Sequence, residues 1–131
     1  MRRFSLLALL LLACSTSLRG EVRGGGETKL SVELDLAETE EERRTGLRAY
    51  ASLSPEQGLL LVFPGPSEVC ITNAGVAFGI DAVFVDAGDV TAVESFAAGE
   101  ATPRCQRADE VLEVAVGVAS RVEVGDRFVW Q

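Results

Sequence analysis

The chain has 131 residues, with 20 Asp or Glu against 12 Lys or Arg and a formal net charge of −8. This length suffices for one domain with a hydrophobic core and is too short for two. A strongly acidic chain is repelled by phosphate backbones, so we expect no nucleic-acid partner; the absence of histidine excludes a Ser-His-Asp triad and a histidine zinc site.

A basic and then apolar leader opens the chain. Arg2 and Arg3 precede an apolar run from Phe4 to Ala13, which is shorter than the ~20 residues that a membrane-spanning helix needs. This pattern predicts a signal peptide over residues 1–13. The end of the run, Leu-Leu-Ala-Cys, resembles the bacterial lipobox, in which the leader is cut before a cysteine that carries a diacylglyceryl group. We therefore expect lipidation of Cys14. The alternative is an ordinary signal peptide that is cut after a small residue near Ser15 to Ser17, so that Cys14 is removed with the leader.

The residues that follow the leader predict a tether and a disulfide. Residues 14–27 contain three consecutive glycines among polar neighbours, which favours a flexible linker and places a single folded domain at 28–131. That domain keeps Cys70 and Cys105, an even pair that an exported protein would join in a disulfide. Free thiols or a redox pair are the alternatives, although the C-x-x-C spacing typical of redox pairs is absent.

The predicted domain begins with a strand and a helix. Apolar and polar side chains alternate from Thr28 to Leu36, which predicts a strand with one solvent-facing side. Thr39 followed by Glu42 forms a capping-box pattern and predicts a helix of two to three turns that ends near Ala49. The acidic first turn of this helix is accounted for by the helix dipole, so no metal site is predicted there.

Short apolar segments separated by turn residues fill the rest of the chain. Further strands are predicted, in chain order, at residues 59–63, 68–72, 80–85, 90–96, 111–116 and 127–130. The segment at 80–85 is almost entirely apolar, as is typical of a central strand covered on both faces. About seven short strands with one short helix near the start predict a mostly β (α+β) domain, either a β-sandwich or a part-open β-barrel.

The region from Thr39 to Phe63 resembles the bacterial domain of unknown function 192 family, whose pattern there is close to T-P-E-E-R-x-x-G-L-M-x-R-x-x-L-x-x-x-x-G-M-L-F-x-F. The matching positions are Thr39, Glu41, Glu42, Arg43, Gly46, Leu47, Leu53, Gly58, Leu60 and Phe63. The later stretches VLEVAVG and VEVGDRF are similar to the V-L-E-L-x-x-G and V-G-D-R-V of the family. The resemblance implies a mainly β fold with a helix near its start, export in many members and no established activity.

One block departs from the family pattern. Cys70, Ile71 and Thr72 stand where the family has Trp, Met and Lys, and the Pro before the Asp of that block is Gly79 here. The chain is therefore identified as a divergent member, in which a site built by this block would be altered.

Three residues are candidates for a ligand site. Asn73 lies next to Gly75, so it is either a turn residue that tolerates positive φ or a ligand-binding amide. Asp81 opens the buried strand and needs partners for its carboxylate; it either accepts hydrogen bonds from the 73–79 loop or contacts a ligand. Arg43 either pairs with a carboxylate or lies on a solvated helix face.

These patterns identify no catalytic residue, no metal site and no cofactor. The sequence predicts an exported, lipid-anchored envelope protein that acts as a binding or accessory module, with the membrane, an envelope protein or a small ligand as its partner. Its expected location is the periplasmic or outer-membrane face of the envelope. The alternative is an enzyme that uses a carboxylate site around Asp81 and Asn73.

Overall fold

A computed structural model describes residues 17–131, so the predicted leader and Cys14 lie outside the described residues. The described chain forms seven strands, one α-helix and one 3₁₀ helix. In chain order these are β1 (Leu18–Gly24), β2 (Glu27–Ala37), α1 (Glu40–Thr45), the 3₁₀ helix (Gly46–Ala49), β3 (Gln57–Ile71), β4 (Ile80–Asp86), β5 (Asp89–Phe96), β6 (Arg104–Ala115) and β7 (Arg127–Trp130). The prediction of a mostly β domain with one short helix near its start is confirmed.

The seven strands lie in one sheet that curls into a ring. Their order around the ring is β1-β2-β3-β6-β4-β5-β7, and β2 with β3 is the parallel pair among otherwise antiparallel neighbours. The ring closes through β7, which pairs with β1 over four positions and with β5 at Asp89 and Arg127.

The long strand β3 joins two segments that the sequence predicted as separate strands. Its pairing with β6 shifts register between Val62 and Ser67, where Pro64 and Pro66 lie. Proline has no backbone N–H to donate to the ladder, so the pairing is interrupted there although the strand continues. The separate strands predicted at 59–63 and 68–72 are therefore corrected to one irregular strand.

The prediction of a flexible tether over residues 14–27 is wrong from Leu18 onward. Strands β1 and β2 form a hairpin in which Gly24 pairs with Glu27. The two residues between them, Gly25 and Gly26, have φ of 60° and 77°, as a type I′ hairpin turn requires. The glycine run, which predicts a flexible linker when it is considered alone, forms this turn instead, and the inward-facing Val22, which is fully buried, is the strand signal that was overlooked.

Two apolar clusters lie on opposite faces of the sheet. The inner cluster receives buried side chains from all seven strands and fills the ring. The outer cluster lies between the sheet and the covering segments, which include the 3₁₀ helix through Leu47. Strand β4 contributes Val83 to the inner cluster and Ala82 and Phe84 to the outer one, so the predicted central strand covered on both faces is confirmed.

We expect Gly24→Ala to destabilise the hairpin by about 2 kcal/mol, a typical cost of overpacking. A Cβ at Gly24 would lie 1.9 Å from Oδ1 of Asp126, and that carboxylate is held by Lys29 Nζ and the backbone N–H of Glu123, both at 2.8 Å. Urea unfolding at pH 7 measures the effect. Gly65→Ala is the matched control because no heavy atom lies within 4 Å of its Cβ position; equal midpoints for the two variants would contradict the prediction.

Candidate functional site

A cavity of about 200 Å³ lies on the outer face of the sheet, under the helical segment. Its wall is formed by residues of α1 and the 3₁₀ helix, by the end of β3 and by the loop that follows β3. Glu113 of β6 and the side chains of three arginines, Arg43, Arg44 and Arg48, are the charged groups that line it. The cavity therefore combines one carboxyl group with several guanidinium groups.

Glu113 is the buried charged group of this cavity. It lies on the outer face of β6, opposite Leu59 of β3 and Ala82 of β4, and its side chain is in contact with the outer apolar layer at only 5 % exposure. No hydrogen bond from residues 17–131 contributes to the state of its carboxyl group. Its oxygens are open to the cavity, since the fully enclosed unpaired side-chain oxygens of the described residues are Oδ1 of Asn73 and Oδ1 of Asp109. Burial raises the pKa of Glu113 to about 7, because a low-dielectric environment disfavours the charged form.

Sequence reasoning did not select Glu113 as a site residue. The signal was present, since Glu113 is the strongly polar residue of the apolar segment 111–116 and lies in the VLEVAVG stretch. The pattern of a single strand could not show that both neighbouring strands and a helical segment would cover this side chain.

Arg43 connects the helix to the sheet. Its Nη1 donates to the carbonyl oxygens of Glu38 at 2.6 Å and Val62 at 2.9 Å, and its guanidinium lies 5.0 Å from the ring centroid of Phe63. The two predicted alternatives, a carboxylate pair and a solvated face, are both replaced by these bonds to backbone carbonyls. Arg43 also lines the cavity, so a contact with a ligand stays a prediction.

Arg44 and Arg48 form the exposed, basic side of the cavity. Arg48 donates from Nε to the carbonyl oxygen of Ala74 at 2.8 Å and from Nη1 to that of Arg44 at 2.9 Å. Arg44 pairs with Glu40 at 2.9 Å, and its side chain is 71 % exposed. Since a guanidinium carries five N–H donors, both side chains keep donors that these contacts do not use.

Asn73 has a structural role in the loops beside the cavity. It is fully buried, and its Nδ2 donates to the carbonyl oxygens of Phe78 and Ala97, both at 2.9 Å. The expected positive φ at Asn73 is wrong, because the left-handed residue of this loop is Gly75. Asn73 instead ties together two loops that are distant in sequence.

The carboxylate of Asp81 accepts hydrogen bonds from three donors within the protein. These are Ser95 Oγ at 2.7 Å and the backbone N–H groups of Gly117 at 2.9 Å and Ala119 at 3.1 Å. The sequence predicted donors from the 73–79 loop, so the donors are different although the structural use is as expected. Asp81 shares the inner face of β4 with Val83, and neither Asp81 nor Asn73 lines the cavity.

Cys70 and Cys105 form the predicted disulfide. They lie directly opposite each other on β3 and β6, with their Cα atoms 4.0 Å apart. Both residues are exposed, and Cys70 contributes to the cavity wall. Glu68 lies close enough for its carboxylate to share a metal ion with the two sulfurs, but sulfurs joined to each other are not thiolate ligands.

We expect Glu113→Gln to stabilise the protein by about 3 kcal/mol at pH 8 and to have little effect at pH 5. Folding raises the pKa of Glu113 from 4.5 to about 7, and each pH unit of such a shift is worth ~1.4 kcal/mol. In the wild type, the free energy of unfolding is not reduced by Glu113 below pH 4.5, where the carboxyl group is protonated in both the folded and the unfolded state. It falls as the pH rises through 7, because ionised Glu113 is disfavoured in the folded state.

Urea unfolding of both proteins between pH 5 and 8 measures this difference. Other titrating groups contribute equally to the wild type and the variant, so the difference between the two curves reports Glu113 alone. Glu33→Gln, at an exposed position on β2, is the matched control and is expected to follow the wild-type curve. A Glu113→Gln curve parallel to that of the wild type would contradict the prediction.

No helix among residues 17–131 has the length and apolar character needed to cross a membrane.

The fold and the cavity define a small β-ring protein whose helical segment covers one outer face of the sheet. The chain belongs to the domain of unknown function 192 family (DUF192, described as an uncharacterised ACR), whose model matches residues 21–130. The expected membership is confirmed, and the match begins within β1, before the predicted start of the domain.

Two solved structures share this fold. A candidate transcription regulator from Sinorhizobium meliloti 1021 aligns with a TM-score of 0.81 at 21 % identity, covering 87 % of this chain and 93 % of its own. A protein of unknown function from Novosphingobium aromaticivorans DSM 12444 aligns with a TM-score of 0.79 at 23 % identity, covering 86 % and 84 %. No curated protein matches the sequence significantly. At these identities the likeness concerns the fold.

Proposed function

We propose that this protein is an exported, lipid-anchored module of the bacterial envelope that binds a small polar ligand in the cavity beneath its helical segment. The observation that carries the binding function is Glu113, a carboxyl group at 5 % exposure that lines a cavity and has no hydrogen-bond partner among the described residues. The oxygens of Glu113 are not among the fully enclosed unpaired atoms of the described residues, so they open onto the cavity, and a ligand bound there can reach them and supply a partner.

The energetics support a functional role for Glu113. An ionised carboxylate in an apolar environment without a partner is costly, and this cost appears as the raised pKa. A carboxyl group with a perturbed pKa in a cavity is a typical feature of a functional site. A buried residue that only filled space would be more stable as an apolar or neutral side chain.

Export and anchoring rest on the leader sequence. The basic start, the short apolar run and Cys14 favour a lipoprotein, and two or three acyl chains on one cysteine are enough for stable membrane attachment. The disulfide between Cys70 and Cys105 supports this location, because disulfides persist in oxidising compartments outside the cytoplasm.

Metabolic labelling with a radioactive fatty acid tests the anchor. We expect the wild-type protein to carry the label in the membrane fraction and Cys14→Ala to lose it. Cys70→Ala is the matched cysteine control and is expected to remain labelled. A label that persists in Cys14→Ala would overturn lipidation at this residue.

A thermal-shift screen tests the binding function. The panel contains amines, carboxylates, amino acids, sugars and inorganic phosphate, each at millimolar concentration. We expect at least one class to raise the melting temperature of the wild type and of Glu33→Gln but not of Glu113→Gln. If no class shifts the wild type, or if the shifts are the same in Glu113→Gln, the cavity is not a ligand site.

An enzyme built on Asp81 and Asn73 is the alternative that the sequence left open. The carboxylate of Asp81 is occupied by three donors, and both N–H donors of the Asn73 amide are used by backbone carbonyls. Neither side chain faces the cavity. The geometry therefore favours a binding module over this enzyme.

A further inference from the structure

We propose that the ligand of this cavity is a small zwitterion, with its cationic group against Glu113 and its anionic group against Arg44 and Arg48. This inference rests on the binding function proposed above and names the chemical class of the ligand.

The buried end of the cavity calls for a cation. Three arginines line the same cavity as Glu113, but none of the ion pairs among residues 17–131 involves its carboxyl group. An ammonium group beside Glu113 would form a desolvated ion pair, which is the usual state of a buried charge. A ligand cation therefore supplies what the protein lacks.

The open side of the cavity calls for an anion. Arg44 and Arg48 line it with exposed side chains, and each retains N–H donors beyond the contacts described above. Guanidinium groups bind carboxylates in a planar, two-bond geometry. This basic cluster belongs to a chain with a net charge of −8, so it is a local exception to the overall charge.

A zwitterion is the class that satisfies both ends. A simple anion would leave Glu113 without a partner and would add a negative charge to the same cavity. A simple cation would be repelled by the arginines as it enters. The cavity volume of about 200 Å³ suits a molecule of amino-acid size rather than the larger ligands that fill pockets of ~300 Å³ or more.

The groups around Glu113 define the expected pH dependence. Arg43, Arg44 and Arg48 come from the helical segment, and Cys70 of β3 is held in the disulfide. Ala82 and Phe84 of β4 are apolar. Burial, a hydrogen bond to Asp35 and the charges of Asp35 and Glu113 raise the pKa of Tyr50, so that phenol stays neutral. Glu113 is therefore the group in contact with the cavity that changes charge near pH 7.

Calorimetric titration of the full chain in mild detergent tests the class of ligand. Glycine, β-alanine and 4-aminobutyrate are zwitterions of increasing charge separation, while butylamine and butyrate carry one of the two charges. At pH 8 we expect one zwitterion to bind at least tenfold more tightly than either singly charged compound. Its affinity should fall about tenfold for each pH unit below 7, because protonated Glu113 cannot pair with a cation.

Two variants test the cation-binding and the anion-binding ends of the cavity separately. Glu113→Gln should lose the zwitterion affinity at least tenfold and its pH dependence with it, and unfolding cannot explain the loss because this variant is expected to be more stable. Arg48→Gln should weaken the zwitterion about tenfold but leave butylamine unchanged. Arg121→Gln, an exposed arginine outside the cavity, is the matched control and should bind as the wild type does.

Each other outcome overturns the zwitterion proposal. Tighter binding of butyrate, strengthening below pH 7, would mean that protonated Glu113 donates a hydrogen bond to an anion. Equal binding of butylamine would mean a cation site. In both cases the binding function would stand. If none of the five compounds binds, the zwitterion is excluded, and the thermal-shift panel decides separately whether the cavity binds another class.

Discussion

Asp81→Ala is expected to lower the free energy of unfolding by about 4 kcal/mol. The carboxylate accepts from Ser95 Oγ and from the N–H groups of Gly117 and Ala119, and it is only 3 % exposed. Hydrogen bonds to a charged group contribute ~1.5–3 kcal/mol each, and the donors left without a partner would be buried. The sum of these losses exceeds what a surface substitution costs.

Asp81→Asn distinguishes hydrogen bonding from charge. The asparagine oxygen can accept the two backbone N–H groups while its NH₂ donates to the hydroxyl oxygen of Ser95. We therefore expect this variant to lose only about 1–2 kcal/mol. Urea unfolding at pH 7 measures both variants, and Asp89→Ala, at a side chain 64 % exposed, is the control. Equal losses for alanine and asparagine would show that the charge, and not the network, is what matters.

Replacing both Cys70 and Cys105 with serine is expected to destabilise the protein by about 4 kcal/mol. The disulfide joins residues 35 positions apart, and the chain-entropy model gives ~4 kcal/mol for a closed loop of this size. It also connects the part of β3 that follows the register shift to the start of β6. In the double variant this two-stranded end would depend on backbone pairing and on buried side chains such as Val69 and Ile71.

Dithiothreitol provides the control for this prediction. The reduced wild type should unfold at the same urea concentration as the double serine variant, and the variant should not respond to the reductant. If the reduced wild type keeps the midpoint of the oxidised protein, the disulfide does not stabilise the fold. A reduced wild type that falls well below the variant would mean that the free thiols themselves are harmful.

The features that sequence predicted well are those set by neighbouring residues. The alternation of β2, the apolar character of β4 and the capping box of Thr39 with Glu42 all lie within short windows, where side-chain period and cap chemistry determine the structure. The helix predicted to end near Ala49 changes from α to 3₁₀ geometry at Gly46, which has φ of 47°.

The features that sequence missed depend on residues far apart in the chain. β1 becomes a strand because β2 and β7 pair with it on both sides, and its glycine-rich composition favours a linker when it is considered alone. The donors to Asp81 come from residues 14, 36 and 38 positions away. The burial of Glu113 also depends on residues far apart in the chain, since β3, β4 and the helical segment surround its side chain.

The hairpin that begins at Leu18 limits the distance between the folded domain and the membrane. With Cys14 acylated as we propose, four Cα steps join the anchor to the first strand, and an extended chain spans at most ~14 Å over that distance. Such a short connection would hold the domain against the bilayer, close to the lipid headgroups, and would keep it from extending into the periplasm. Ligands and partners would then have to be met at the membrane surface.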